Sequence, residues 1–401
     1  MTTVDAGRGL SRIVLGAGLV LIAFNLRPIF SSFSSLLPEL RSELGLSAAT
    51  AGLLTTLPVV CLGAFSPLAP RLGQRFGQER TLLAVLLLLA LGTALRGALS
   101  LPLLFLGTML AGACIAVGNV LLPALVKRDF PDRTALMTGL YTMALCGGAA
   151  AAAGLTLPLR DLVGGSLGWA LGLWALPAVL VALIWLPQVF GEGSHGRSRR
   201  VRIVGLWRDR LAWQVTLFMG LQSALAYCVF GWLVPILRER GMDGVHAGAL
   251  VSMSVMVQGI SCIFAPQIAV RMRDQRLINV LMAAAAAIAL IGLLFAPLWT
   301  AWGFAVLQGI GQGSLISLAM TAIVLRSPDS DTASYLSGMA QFVGYLLAAV
   351  GPLLVGFIRS WTGSFNGTAV LFLALGFGVA LNGWGAGRAA HVEVRRVPAG
   401  V

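Results

Sequence analysis

Residues 13–37, IVLGAGLVLIAFNLRPIFSSFSSLL, decide the fold: 25 residues long, they carry one charge, Arg27. A helix that crosses a bilayer needs about 20 mainly apolar residues, so this stretch reads as a membrane span near 11–37. It shows no small-residue cleavage site after its apolar run and is expected to stay in place. The rest of the 401-residue chain repeats the pattern: 58% of it is hydrophobic and 11% charged, against about 25% charged in soluble domains. Apolar runs near 47–70, 81–99, 103–126, 134–157, 168–189, 211–236, 246–270, 277–295, 300–325, 332–357 and 366–386 bring the total to twelve. The expectation is an all-α integral membrane protein, which excludes a soluble enzyme on a single anchor.

The net charge of +13 raises the question of nucleic acid, and the placement of the cations answers it. With the N-terminus inside, twenty-one Lys and Arg fall on the cytoplasmic side, among them Arg71, Arg75, Arg80, Lys127, Arg128, Arg271, Arg276, Arg326, Arg396 and a cluster from Arg197 to Arg210. Six fall on the other side: Arg41, Arg96, Arg160, Arg238, Arg240 and Arg359. This bias sets orientation. Both termini and the loop at 190–210 are expected in the cytoplasm of a bacterial inner-membrane protein, with lipid as the surrounding partner and no nucleic acid. Cys61, Cys114, Cys146, Cys228 and Cys262 lie in apolar runs without metal-binding spacing. They read as packing residues, and neither a metal nor another cofactor is expected.

The chain repeats itself weakly at half its length. Gly45-Leu46 and Ala51-Gly52 recur as Gly241-Met242 and Ala247-Gly248, Phe65-Ser66-Pro67 as Phe264-Ala265-Pro266, and Pro131-Asp132 as Pro328-Asp329, all at offsets of 196–199. The halves read as a six-helix bundle over 1–190, a basic linker over 191–210, a second bundle over 211–388 and a tail over 389–401. Parallel repeats of this kind are a plan of carriers that rock about a central site.

The loop Arg71-Leu72-Gly73-Gln74-Arg75-Phe76-Gly77-Gln78-Glu79-Arg80 resembles the signature loop of the major facilitator superfamily, with Gln74 where aspartate is usual and Pro70 where glycine is usual. Further resemblance lies in Asn25-Leu26-Arg27-Pro28, in Gly52 to Pro58, in Gly118-Asn119-Val120-Leu121-Leu122-Pro123 running into Val126 to Pro131, and in Met137 to Ala144. Together they resemble the cyanate/nitroimidazole (CynX/NimT) branch. The resemblance implies the major facilitator fold, two pseudo-twofold related six-helix bundles, with spans one, four, seven and ten lining a central cavity. It also implies a small cyanate- or nitroimidazole-like solute, carried by alternating access by what is expected to be a monomer.

The fifteen carboxylates lie in loops or at span ends, and the histidines His195, His246 and His391 lie outside the span centres. Proton-coupled carriers commonly use buried Asp, Glu or His, so proton coupling is expected to ride on the solute. Acid–base or metal catalysis lacks candidates too, and no enzyme is expected. Arg27 reads as the single charge inside a span, about 4–5 Å beyond its centre at 1.5 Å per residue. Placing it there costs at least ~2.5–3.5 kcal/mol unless compensated. Its fork suits a small planar anion, whereas snorkelling to headgroups is the structural alternative. Arg27, Ser31 and Ser34 follow helical spacing on one face, and Gln308 and Gln312 share another. The expected solute-binding set is Arg27, Asn25, Asn119, Tyr141, Gln222, Gln308, Gln312 and Gln341. The expected cytoplasmic gate is Arg75, Gly77, Asp129, Arg271 and Asp329, with the arginines latching the carboxylates. If Arg27 were structural, an exporter of hydrophobic drugs would be the alternative.

Overall fold

The computed structural model describes residues 3–46, 48–190 and 201–398; residues 191–200 of the expected linker and the last three of the tail lie outside the described residues. Sixteen α-helices account for nearly all of the regular structure there, and two four-residue strands, Val201–Val204 and Arg395–Pro398, make up the extended part. Eleven helical stretches are long and apolar enough to cross a membrane, and a twelfth is a bent pair. Large apolar side chains such as Phe264, Phe377 and Trp361 stand more than half exposed along them, as a surface facing lipid requires.

The spans follow the apolar runs closely, with two instructive departures. Span one is broken: α1 (Thr3–Asn25) ends before Leu26-Arg27, and α2 (Pro28–Ser35) begins with Pro28 at its first position. Proline's missing N–H is harmless there, but within a continuous helix it would remove a bond. A short α3 (Leu37–Leu44) follows. Span two is the bent pair, α4 (Ala48–Phe65) and α5 (Leu68–Phe76), meeting at 61°. The signature stretch is therefore mostly helix. Only Gly77, at φ +88°, is a turn before α6 (Gln78–Arg96), a backbone conformation that suits glycine.

The remaining spans are α7 (Leu101–Asp129), α8 (Thr134–Leu162), the pair α9 (Leu167–Gly172) and α10 (Ala175–Phe190), then α11 (Arg210–Glu239), α12 (Gly244–Arg271), α13 (Arg276–Phe295), α14 (Ala301–Arg326), α15 (Ser330–Thr362) and α16 (Thr368–Ala386). Helix starts recur at the repeat distance: Ala48 with Gly244, Gln78 with Arg276, Leu101 with Ala301 and Thr134 with Ser330, all 196 to 200 residues apart.

The chain forms two compact units, one of residues 1–125, 144–202 and 397–401, the other of 126–143 and 203–396. In the first, Phe33, Leu36, Leu40, Leu54, Leu104 and Leu171 form a buried core. Trp185 of α10 lies against Gly18 of α1, and its indole donates to the Glu79 carbonyl at 3.1 Å. In the second unit α11 packs on α15 and α16, and α14 packs on α12 and α13.

The structure corrects one element of the charge reading. Arg27 is not the single charge within a span. Arg96 lies in the last turn of α6 at 1% exposure and Arg326 ends α14 at 5%. Neither is a loop residue, although Arg96 reads as one of the outer-side cations.

Candidate functional site

The break in span one lies among close neighbours in the first unit. Leu26 packs on Gly118 of α7, whose added Cβ would stand 3.1 Å from the leucine methyls. Gly148 of α8 faces the carbonyl of Phe24, and a Cβ there would fall onto that oxygen. The two glycines make a slot for the chain from Phe24 to Pro28. Arg27, half-buried, is the residue that caps α2, with φ −114° and ψ −26°. A cation at the start of a helix sits at the positive end of the backbone dipole, which is a poor place for a stabilising charge and a good one for attracting an anion.

The other predicted residues of this unit fall into place unequally. Asn25 is buried, but its side-chain amide donates to the Leu21 carbonyl of its own helix at 2.9 Å. Asn119 on α7 is 3% exposed. The expected face of Arg27, Ser31 and Ser34 falls on α2 alone, with Arg27 as its cap in helical backbone conformation. Ser34 returns its hydroxyl to the Phe30 carbonyl at 3.1 Å, and Ser35 donates to Ser31 and to Ala153 of α8.

In the second unit Tyr141, Gln222, Gln308, Gln312 and Gln341 are all at most 2% exposed. Two of them meet: the Gln312 amide nitrogen donates to both the side-chain and backbone oxygens of Gln222, each at 3.0 Å. Gln222 in turn donates to Ser223 at 2.9 Å. Gln308 shares helical spacing with Gln312 but accepts a bond from Ser254 on α12, and Gln341 donates to Ser337, one turn back, at 3.0 Å. The amide oxygens of Gln312 and Gln341 and the hydroxyl of Tyr141 are buried without a hydrogen-bond partner among the described residues. Such groups cost about 1–3 kcal/mol each when left unmet, so they suit a water or a polar solute. An apolar void bordered by Cys228, Leu233, Leu290 and Phe372 offers none of this chemistry.

At the span ends the expected latch takes a different form. Arg75 lies over the ring of Phe76, 5.2 Å from its centroid. Asp129 accepts a bidentate pair from its neighbour Arg128 at 2.7 and 2.9 Å. Arg271 is exposed at the end of α12, and Arg276 pairs with Asp274 at 3.5 Å. Asp329 is taken by Arg396 of the tail and also caps α15, accepting from the Thr332 N–H at 2.9 Å. Arg271 and Arg276 thus leave Asp329 to Arg396, a residue that no motif marks. Arg326 is equally engaged, donating to the Ala386 carbonyl at 2.8 Å and to Gln275.

Sequence reading missed Arg96, Arg326 and Arg396. For Arg96 a signal existed, since it is the one charge within the run 81–99. Tail arginines look alike in sequence, and Arg396 had none.

Residues 14–352 match the family described as Major Facilitator Superfamily. The chain is 40% identical over 385 residues to the 2-nitroimidazole transporter of Escherichia coli (strain K12), covering 94% of this chain and 96% of that protein. It is 30% identical over 350 residues to the cyanate transport protein CynX of the same organism, covering 86% and 90%. The crystal structure of the E. coli fucose:proton symporter FucP aligns with a TM-score of 0.75 at 14% identity, over 94% of this chain and all of that one, a likeness of fold.

Proposed function

The chain belongs to the major facilitator superfamily and, within it, to the cyanate/nitroimidazole transporter family, and on that premise we propose that it carries a small, planar, anionic or weakly acidic solute recognised by Arg27. It is a multi-pass membrane transporter of a small solute. The finer reading of the solute rests on one observation: the break in span one makes Arg27, whose guanidinium is permanently charged, the capping residue at the positive end of a half-helix. Discontinuous spans of other transporters bind anionic groups with such half-helix N-termini. A guanidinium fork adds paired, coplanar hydrogen bonds that match a carboxylate or nitro group, and its charge attracts a small linear anion such as cyanate.

The names of the relatives supply the size range. Cyanate and 2-nitroimidazole are small and polar, and each fits a site built around one fork. The membrane is the bacterial inner membrane, with both termini cytoplasmic, in keeping with the charge bias of the loops.

Counterflow in proteoliposomes tests the solute class. Vesicles preloaded with cyanate or 2-nitroimidazole should accumulate the labelled compound, and small carboxylates should compete while lipophilic cations should not. Competition by lipophilic cations alone would replace this reading with that of a drug exporter.

A further inference from the structure

The first unit holds a second arginine that the proposed solute site does not use, and its surroundings assign it a task. Arg96 ends α6 with 1% exposure. One terminal nitrogen of its guanidinium donates to the Ile29 carbonyl at 3.0 Å, and the group lies over the Phe33 ring, 5.1 Å from the centroid. Its Nε is buried without a hydrogen-bond partner. Burying an arginine against a carbonyl and a ring costs more than it returns in stability, because neither neutralises the charge. A leucine would fill the place more cheaply.

Both partners belong to α2. Ile29 and Phe33 stand four apart and share one face, so the guanidinium grips this half-helix across its first turn. Arg27 precedes Ile29 by two residues, about 200° around a helix of 3.6 residues per turn. The grip is therefore on the back of the element whose cap is Arg27. Being only eight residues long, α2 is too short to hold its own position. The glycine slot touches Phe24 to Pro28, and Arg96 touches Ile29 and Phe33 beyond it.

We propose that Arg96 is a positioning residue for solute recognition: by clamping Ile29 and Phe33 it sets the angle at which α2 leaves the break, and so aims the fork of Arg27. This rests on the reading of Arg27 as the solute ligand. A group that aims a fork loses its effect when the fork is gone, whereas a group that only stabilises the unit keeps it.

The test is a double-mutant cycle on the purified full chain, with 2-nitroimidazole and cyanate as probes. Arg96→Met should weaken binding about tenfold in the wild-type background and less than twofold beside Arg27→Lys, with Arg96→Lys restoring part of the loss. Equal losses in the two backgrounds, or wild-type affinity in Arg96→Met, would overturn the proposal. Amide exchange gives a readout free of any probe: in Arg96→Met the amides from Ile29 to Phe33 should exchange faster while those of α6 and α10 keep their protection. Unchanged exchange in α2 also overturns it. If Arg27→Lys and Arg27→Ala bind both probes at wild-type affinity, it is the reading of Arg27 that fails, and the exchange experiment alone decides whether Arg96 positions α2.

Discussion

At the residue scale the unusual feature of this chain is where it spends its buried polarity. Arg27 was legible in sequence because it stands alone in 25 residues. Arg96 was visible as the one charge of the run 81–99, but its place was not, because hydropathy cannot tell an arginine that ends a span in headgroups from one folded back onto a neighbouring helix. The glutamines were legible as polar positions, but their partners were not: spacing pairs Gln308 with Gln312, whereas the fold pairs Gln312 with Gln222 from another helix. Gln312→Leu removes the donor to Gln222 and takes this partner from its buried side-chain oxygen, a loss of about 1–3 kcal/mol that should appear as a lowered melting temperature in detergent. Gly148→Ala should be more damaging than its size suggests. The added methyl meets the backbone of Phe24 and the rigid ring of Pro28 rather than a flexible side chain, so folded protein should be scarce. Normal yield and full transport by that variant would show that the slot is not tight.

At the element scale, the run 13–37 reads as one helix and is two. The signal was present in Pro28, yet proline is tolerated in many spans, as Pro123, Pro235 and Pro352 inside α7, α11 and α15 show. What sets Pro28 apart is the close approach of Gly118 and Gly148, far away in sequence, to residues 24–28. The start of α15 shows another long-range arrangement. Partial burial pushes the Asp329 carboxyl upward, but the Thr332 N–H and the Arg396 guanidinium more than offset it and hold the group below its ordinary value of 3.8. A carboxylate depressed in this way contributes stability that is complete above its unfolded value and lost as pH falls through the folded one. The tail contact should therefore be intact at pH 7 and throughout the weakly acidic range, weakening only below the ordinary carboxylate value. Amide exchange at Glu393 and Val392, whose N–H groups bond to Asp209 and to the Arg326 carbonyl, would follow this. Arg396→Ala should speed their exchange at neutral pH, and protection equal to wild type would remove Arg396 from the account.

At the scale of the whole molecule, composition alone was enough for the class, and the repeat distance seen in a few dipeptides recurs in the starts of four helix pairs. Coupling follows from where the carboxylates lie. Glu79 and Asp331 sit in first turns, Asp129 in a last turn, and the middle of the described spans holds arginine and amides instead. A solute that cannot ionise should therefore not be concentrated by an inwardly directed proton gradient, whereas a weak acid can be. Concentrative uptake of such a non-ionisable solute, driven by pH alone, would place a proton site in the protein. The central claim, that Arg27 recognises the solute, is tested most directly by the affinity of folded Arg27→Ala and Arg27→Lys protein for 2-nitroimidazole and cyanate, measured calorimetrically. Charge-assisted bonds are worth about 1.5–3 kcal/mol, so alanine should weaken binding roughly 10- to 150-fold, with lysine, which keeps the charge without the fork, falling between. Wild-type affinity in folded Arg27→Ala protein would contradict the account.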